Sequence, residues 1–331
     1  MAGWLSLFLA IVMAVGYGVI EAGDPIHVGG TSGSAYPIML PGGRAIAYYM
    51  AGDIWLVNLD NHERRAVIAR PSWESRFSPS PDGSIILFTS ERVAGGRTIV
   101  CMTRLDGMEI GCLPPLADIT YVCGPQSWTG EDSLLICGMA PERGERSEIG
   151  LVTSLAGTGL RWKAWIWEVS KNGEKMRTLL EYEGLLYAVS GKNGRILYTS
   201  TADKQSIIWL LDTGSGEKSP LIFNAYFPAW SPDGELIAFV RDGDLWLASH
   251  DLSMVQQLTF GLGRVVTPTW SSDGSKILFS RFPPLDDDRS AGGIYYLPVV
   301  RIRELPYPAM VSAAVLAIAL LIMILRRRGS N

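Results

Sequence analysis

The chain has 331 residues, 47% of them hydrophobic and only 19% charged, with a net charge of −4. No basic footprint for nucleic acid is present, and the length is enough to bury a sizeable core. With 36 Gly and 19 Pro and no long helical period in its middle, it reads as turn-rich all-β structure.

In chain order, Trp4–Ile20 is an uncharged apolar run followed by Glu21 and Asp24. Residues 1–22 are therefore read as a signal peptide or an N-terminal membrane anchor, with cleavage left open. From there the sequence repeats. Gly42-Gly43, Asp82-Gly83, Glu131-Asp132, Asn193-Gly194, Asp233-Gly234 and Asp273-Gly274 each precede an apolar run, and the last three pairs are about 40 residues apart. A second run with Trp or Tyr follows, as in Asp53-Ile54-Trp55, Ile208-Trp209 and Tyr295-Tyr296. The most regular copy is Phe227–Thr259, whose Ser231-Pro232-Asp233-Gly234 carries the chemistry of a tight turn. Six such units of four antiparallel strands predict a six-bladed β-propeller over 23–303.

Within this region the four cysteines predict disulfides 101–112 and 123–137. Cys101 and Cys112 fall opposite each other if Asp106-Gly107 is a two-residue turn, in a hydrogen-bonded pair, and Cys123 and Cys137 face across a turn centred on Gly130. The alternative is four buried thiols. Strand alternation places all connections from second to third strands on one face, and these are the long ones: 91–96, 138–163, 201–205 and 282–293. Candidate ligand contacts there are Arg143, Arg146, Asp286, Asp287, Asp288 and Arg289, weighed against plain solvated charge. Trp162 is expected to be the exposed member of a cluster whose Trp165 and Trp167 read as core. The three aspartates lack the spacing of a calcium loop, so a solvated turn is favoured and no metal or cofactor is expected.

The last apolar run, Ala309–Leu325, is long enough to cross a bilayer, and Arg326-Arg327-Arg328 follow it. Residues 304–325 are read as a transmembrane helix and 326–331 as a short basic cytoplasmic tail. The membrane is thus one partner, and the propeller lies outside the cytoplasm in a single-pass or double-pass arrangement. The last blade has no fourth strand of its own before this segment, so Ile26-His27-Val28 is expected to supply it and close the ring.

Trp230-Ser231-Pro232-Asp233-Gly234, Phe77-Ser78 with Pro81-Asp82-Gly83, and Trp270-Ser271-Ser272-Asp273-Gly274 resemble the WD40-like (PD40) repeats of the TolB propeller family, over residues 36–300. The resemblance implies the fold and a periplasmic-type binding role. The chain reaches its first blade too soon after Ile20 for the additional N-terminal domain of TolB, and carries an anchor that TolB lacks. Among its histidines, His62 and His250 fall in turns opposite the long loops, which leaves the binding face without a histidine and speaks against metal-dependent chemistry. No catalytic residue is assigned. The expected function is non-catalytic binding of a protein, peptide or envelope glycan through the long-loop face. The alternatives are a carboxylate-dependent hydrolase or lyase acting on carbohydrate or peptide, and an accessory subunit of a membrane complex.

Overall fold

A computed structural model describes residues 20–28, 35–69, 74–93, 97–114, 121–122, 127–129, 132–141, 161–202, 205–283 and 292–301. The apolar segments at both ends, read as flanking helices, lie outside these residues, as does the basic tail. No helix among the described residues is long and apolar enough to cross a membrane.

Asp24–Pro298 forms one compact unit. Blade 1 comprises strands Ala35–Met39, Ala45–Met50, Asp53–Asn58 and Arg64–Ile68. Blade 2 comprises Glu74–Pro79, Ile85–Val93, Arg97–Arg104 and Glu109–Cys112. In blade 3 the first strand is split into Tyr121–Val122 and Ser127–Trp128, followed by Ser133–Pro141, Trp162–Ser170 and Lys175–Glu183. Blade 4 runs through Leu186–Lys192, Arg195–Ala202, Gln205–Asp212 and Lys218–Phe223. Blade 5 runs through Tyr226–Trp230, Leu236–Arg241, Asp244–Ser249 and Val255–Gln257. Blade 6 has Arg264–Trp270, Lys276–Phe282 and Gly293–Arg301. Its fourth strand is Ile26–His27, paired antiparallel with Tyr296 and Tyr295, and Val28 N donates to Ile294 O at 2.8 Å. The N-terminal segment therefore completes the last blade, as the strand count requires. The chain is a six-bladed propeller.

A second unit contains, among the described residues, Ile20–Gly23 and Val299–Arg301. Here Ile20, Glu21 and Ala22 pair antiparallel with Arg301, Val300 and Val299.

One short motif explains why three of the blades turn where they do. In Ser80, Ser231 and Ser271 the hydroxyl donates to the aspartate two residues on, at 2.5–2.6 Å. The same hydroxyl accepts from the backbone N–H five residues on, at 2.9–3.0 Å. The serine is buried in each case, and the Gly of the turn donates back to its carbonyl. Side chain and backbone thus satisfy each other where the chain reverses. The turns also touch: a Cβ on Gly83 would lie 2.9 Å from Pro41 Cδ of blade 1.

The core lies between blades rather than within them. Leu40, Ile54 and Val67 of blade 1 pack with Phe77, Ile86 and Phe88 of blade 2, and Val28, Leu278 and Ile294 of blade 6 pack with Met39, Ile46 and Tyr48 of blade 1. Equivalent clusters join blades 2 to 3, 3 to 4 and 4 to 5. A middle strand is consequently covered on both faces, and Leu236–Val240 is buried at every position.

The Cys101–Cys112 disulfide forms as the spacing predicts, with Cα atoms 3.8 Å apart. Its local geometry differs from the expectation. Arg104 N donates to Met108 O, so the turn spans three residues, Leu105 to Gly107, and a bulge follows between Glu109 and Gly111. Leu113 N bonds Val100 O at 2.8 Å, which makes the cysteines a narrow, non-hydrogen-bonded pair. Cys137 is also disulfide-bonded, and its neighbour Gly138 pairs with Val122. Cys123 lies outside the described residues.

Candidate functional site

Strand alternation brings the second-to-third connections and the fourth-to-first connections to the same face. Of the residues singled out there, Arg143, Arg146, Asp286, Asp287, Asp288 and Arg289 lie outside the described residues. Trp162 is described, and the expectation that it is exposed is corrected: it is 4% exposed, in a cluster with Leu135, Leu180 and Leu186. The reason is its parity. Trp162, Ala164 and Ile166 share the strand face that blade 4 covers, whereas Trp165 and Trp167 stack on the other face with ring centroids 5.8 Å apart.

The described part of this face has an aromatic character. All four Phe, Tyr and Trp side chains at least 36% exposed among the described residues lie at its strand ends or connections: Tyr36, Phe223, Tyr226 and Phe260. Tyr36 and Tyr226 begin the innermost strands of blades 1 and 5, Phe223 ends blade 4, and Phe260 sits in the connection from blade 5 to blade 6. Tyr36 takes a left-handed φ of 55° and Phe227, beside Tyr226, one of 52°. Each sits at a bulge in its innermost strand, a device that re-aims side chains.

Phe260 is the most exposed of the four at 73%, yet its loop is held in place. Gly261 N donates to Asp244 Oδ2, Arg281 Nε donates to Leu262 O, and Val265 N donates to Gly243 O at 2.9 Å. Asp244 also accepts from Gln257 Nε2 at 3.1 Å and Thr259 Oγ1 at 3.0 Å, so both its oxygens are occupied. Gly243 has a φ of +82°, and a Cβ there would meet Gly263 O at 2.9 Å. The loop packs backbone to backbone on the Asp242-Gly243 turn.

Three arginines surround this loop. Arg241 lies over Trp246 at 5.2 Å and donates to Phe223 O at 3.2 Å. Exposed Arg264 lies over Phe282 at 5.1 Å, and Arg281 over Tyr295 at 5.8 Å. Tyr295 also contacts the ring of His27 at 4.9 Å. His27 therefore sits near the long-loop end of blade 6, against the expectation of a face without histidine. Burial, then Arg281, lowers its pKa below the ordinary imidazole value. His62 and His250 do occupy third-to-fourth turns, on the other face. The sequence signal that reasoning missed is Phe260-Gly261-Leu262-Gly263-Arg264, in which both glycines have positive φ.

The opposite face holds two grooves, of about 530 Å³ between blades 2 and 3 and about 270 Å³ between blades 3 and 4, with Trp128 common to both. Ion pairs Lys171–Asp132 and Arg177–Glu168 flank them. Glu109 approaches Cys101 and Cys112 within 4.8 Å, but the two sulfurs are bonded to each other and do not offer thiolates to a metal.

No family model matches the chain. Among curated proteins, it is 26% identical over 234 residues to a probable dipeptidyl-aminopeptidase B from Emericella nidulans. That match covers 58% of this chain and 23% of the relative, so the chain spans less than a quarter of that protein's length. Among solved structures, a putative TolB from Agrobacterium tumefaciens superposes with a TM-score of 0.53 at 18% identity, covering 78% of this chain and 99% of that one. An oligogalacturonate lyase from Vibrio parahaemolyticus gives 0.52 at 10% identity, covering 85% and 96%. These structures share the propeller fold with this chain.

Proposed function

We propose that the protein is a membrane-anchored, extracytoplasmic propeller that binds a protein, peptide or envelope glycan through its long-loop face and performs no chemistry. The observation carrying this reading is that every Phe, Tyr or Trp side chain at least 36% exposed among the described residues belongs to that face. Exposed aromatics on a rigid scaffold are the residues that supply most binding energy at protein surfaces. The Cys101–Cys112 disulfide supports an oxidising compartment, and the apolar run 309–325 before three arginines supports anchorage with the propeller outside. Similarity to an aminopeptidase favours a peptide or protein among the ligand classes.

Photoreactive side chains at positions 223 and 260, compared with one at exposed Met176 outside the aromatic cluster, test the reading in native membranes. Adducts are expected from 223 and 260 and not from 176. Equal labelling from all three, or none from 223 and 260, overturns it. A hydrolase or lyase acting through loop carboxylates is the second reading, favoured by the aminopeptidase and lyase similarities. Turnover of a peptide or an oligogalacturonate by the purified protein would establish it instead.

A further inference from the structure

Building on that reading of the face, we infer that its blade 5–6 end recognises an acidic peptide segment that also carries an apolar side chain. Four observations lead there.

The first is uncompensated charge. No carboxylate pairs with Arg241 or Arg264 among the ion pairs of the described residues. Asp244, the carboxylate bonded into the loop, has both oxygens taken by Gln257, Thr259 and Gly261, and exposed Asp242 forms no ion pair with either arginine among the described residues. The second is orientation. Each guanidinium rests on an aromatic ring, which fixes its plane and leaves its edge donors available to a carboxylate. Arg241 is half-buried and Arg264 is exposed.

The third is the exposed ring of Phe260 on a loop anchored through the backbone of Gly261, Leu262 and Val265. The cost of ordering that loop is met before any ligand arrives, so the ring is a preformed apolar contact. The fourth concerns ligand class. A neutral glycan needs acceptors for its hydroxyls, whereas Arg241 and Arg264 offer only donors. A short acidic peptide presents carboxylates and an apolar group within one reach, which matches two arginines beside one phenylalanine.

The test uses full-length protein in detergent with a labelled hexapeptide Glu-Leu-Glu-Glu-Leu-Glu, its glutamine analogue, and polygalacturonate as an anionic glycan. The acidic peptide is expected to bind at least about tenfold more tightly than the glutamine analogue, and less tightly as salt rises. Arg264→Glu and Phe260→Ala are each expected to weaken it about tenfold, while exposed Arg65→Glu on blade 1 leaves it unchanged. Because both altered side chains are exposed, thermal midpoints should match the parent protein. Equal binding of the glutamine analogue, preference for polygalacturonate, or indifference to Arg264→Glu overturns the inference. If a partner still cross-links at position 260 while these charge effects are absent, the face binds but not through acidic peptide. If nothing cross-links there, the reading of the face itself fails.

Discussion

Cys101 stands directly opposite Phe88 across the second and third strands of blade 2. In blades 1, 4, 5 and 6 the same place holds an aromatic pair: Tyr48 with Trp55, Tyr198 with Trp209, Phe239 with Trp246 and Phe279 with Tyr295. Three of these stack with centroids 5.9–6.4 Å apart. In blade 3 it is the second strand that departs, with disulfide-bonded Cys137 opposite Ile166. A blade has either the aromatic pair or a bridged cysteine. In blade 2, where the aromatic pair is missing, a covalent link from Cys101 to Cys112 ties the third strand to the fourth.

Breaking that link should therefore matter. Cys112→Ala is expected to lower stability by about 3 kcal/mol, the usual value for a short closed loop. Denaturant unfolding without reductant measures it, and a midpoint equal to the parent's would refute the stabilising role. Intact mass with and without reductant should differ by two hydrogens per bridge.

The Ser231 hydroxyl is fully buried and serves both Asp233 and the backbone N–H of Leu236. Ser231→Ala strands that N–H, and a loss of about 1–3 kcal/mol is expected. Ser84→Ala, at an exposed donor to Asp82, should cost far less. Comparable losses from the two variants would remove the special standing of the buried serine.

Acid should unlock the turns. The hydroxyls of Ser80 and then Ser84 hold the Asp82 carboxyl at about 2, and those of Ser271, with the Ser275 backbone, hold Asp273 at about 2. An unfolded chain keeps such carboxyls near 4, so their contribution is complete above about pH 4 and is lost as pH falls toward about 2. The thermal midpoint should drop across that window, and an Asp82→Asn/Asp273→Asn double variant should show a flatter profile. A parent midpoint that stays level from pH 4 to 2 contradicts this.

Gly243 and Gly52 occupy matching turns, each with positive φ. Alanine at either position should cost about 1–2 kcal/mol for the left-handed backbone. Only at 243 does the new methyl meet the backbone of the Phe260 loop, since nothing lies within 4 Å at Gly52. Gly243→Ala should therefore also weaken cross-linking at position 260, with Gly52→Ala as the control that leaves it intact.

Blade type and number were legible because the turns are written locally: Gly at positive φ, Asp and Ser beside it, and an apolar run after. Ring closure followed from counting strands in blade 6. Trp162 was misplaced because period two says which residues share a face, not how far a neighbouring blade extends over it. The Phe260 loop escaped notice for a different reason. Its anchors, Asp244, Gly243 and Arg281, are contributed by other connections and by the next blade, and no local pattern announces them. The bulge at Tyr36 is equally silent, since a tyrosine gives no warning of a left-handed backbone.

The pairing of Ile26 with Tyr296 has a consequence for biogenesis. Ile26–His27 must wait for Tyr295 and Tyr296 of the last blade, so the ring stays open until all six blades have been made. Until then blades 1 and 6 each keep one unpartnered flank, including Tyr48 and Leu278 that later meet across the seam. That interval is when the nascent chain is most open to misassembly or to a chaperone, and it ends in a single late step.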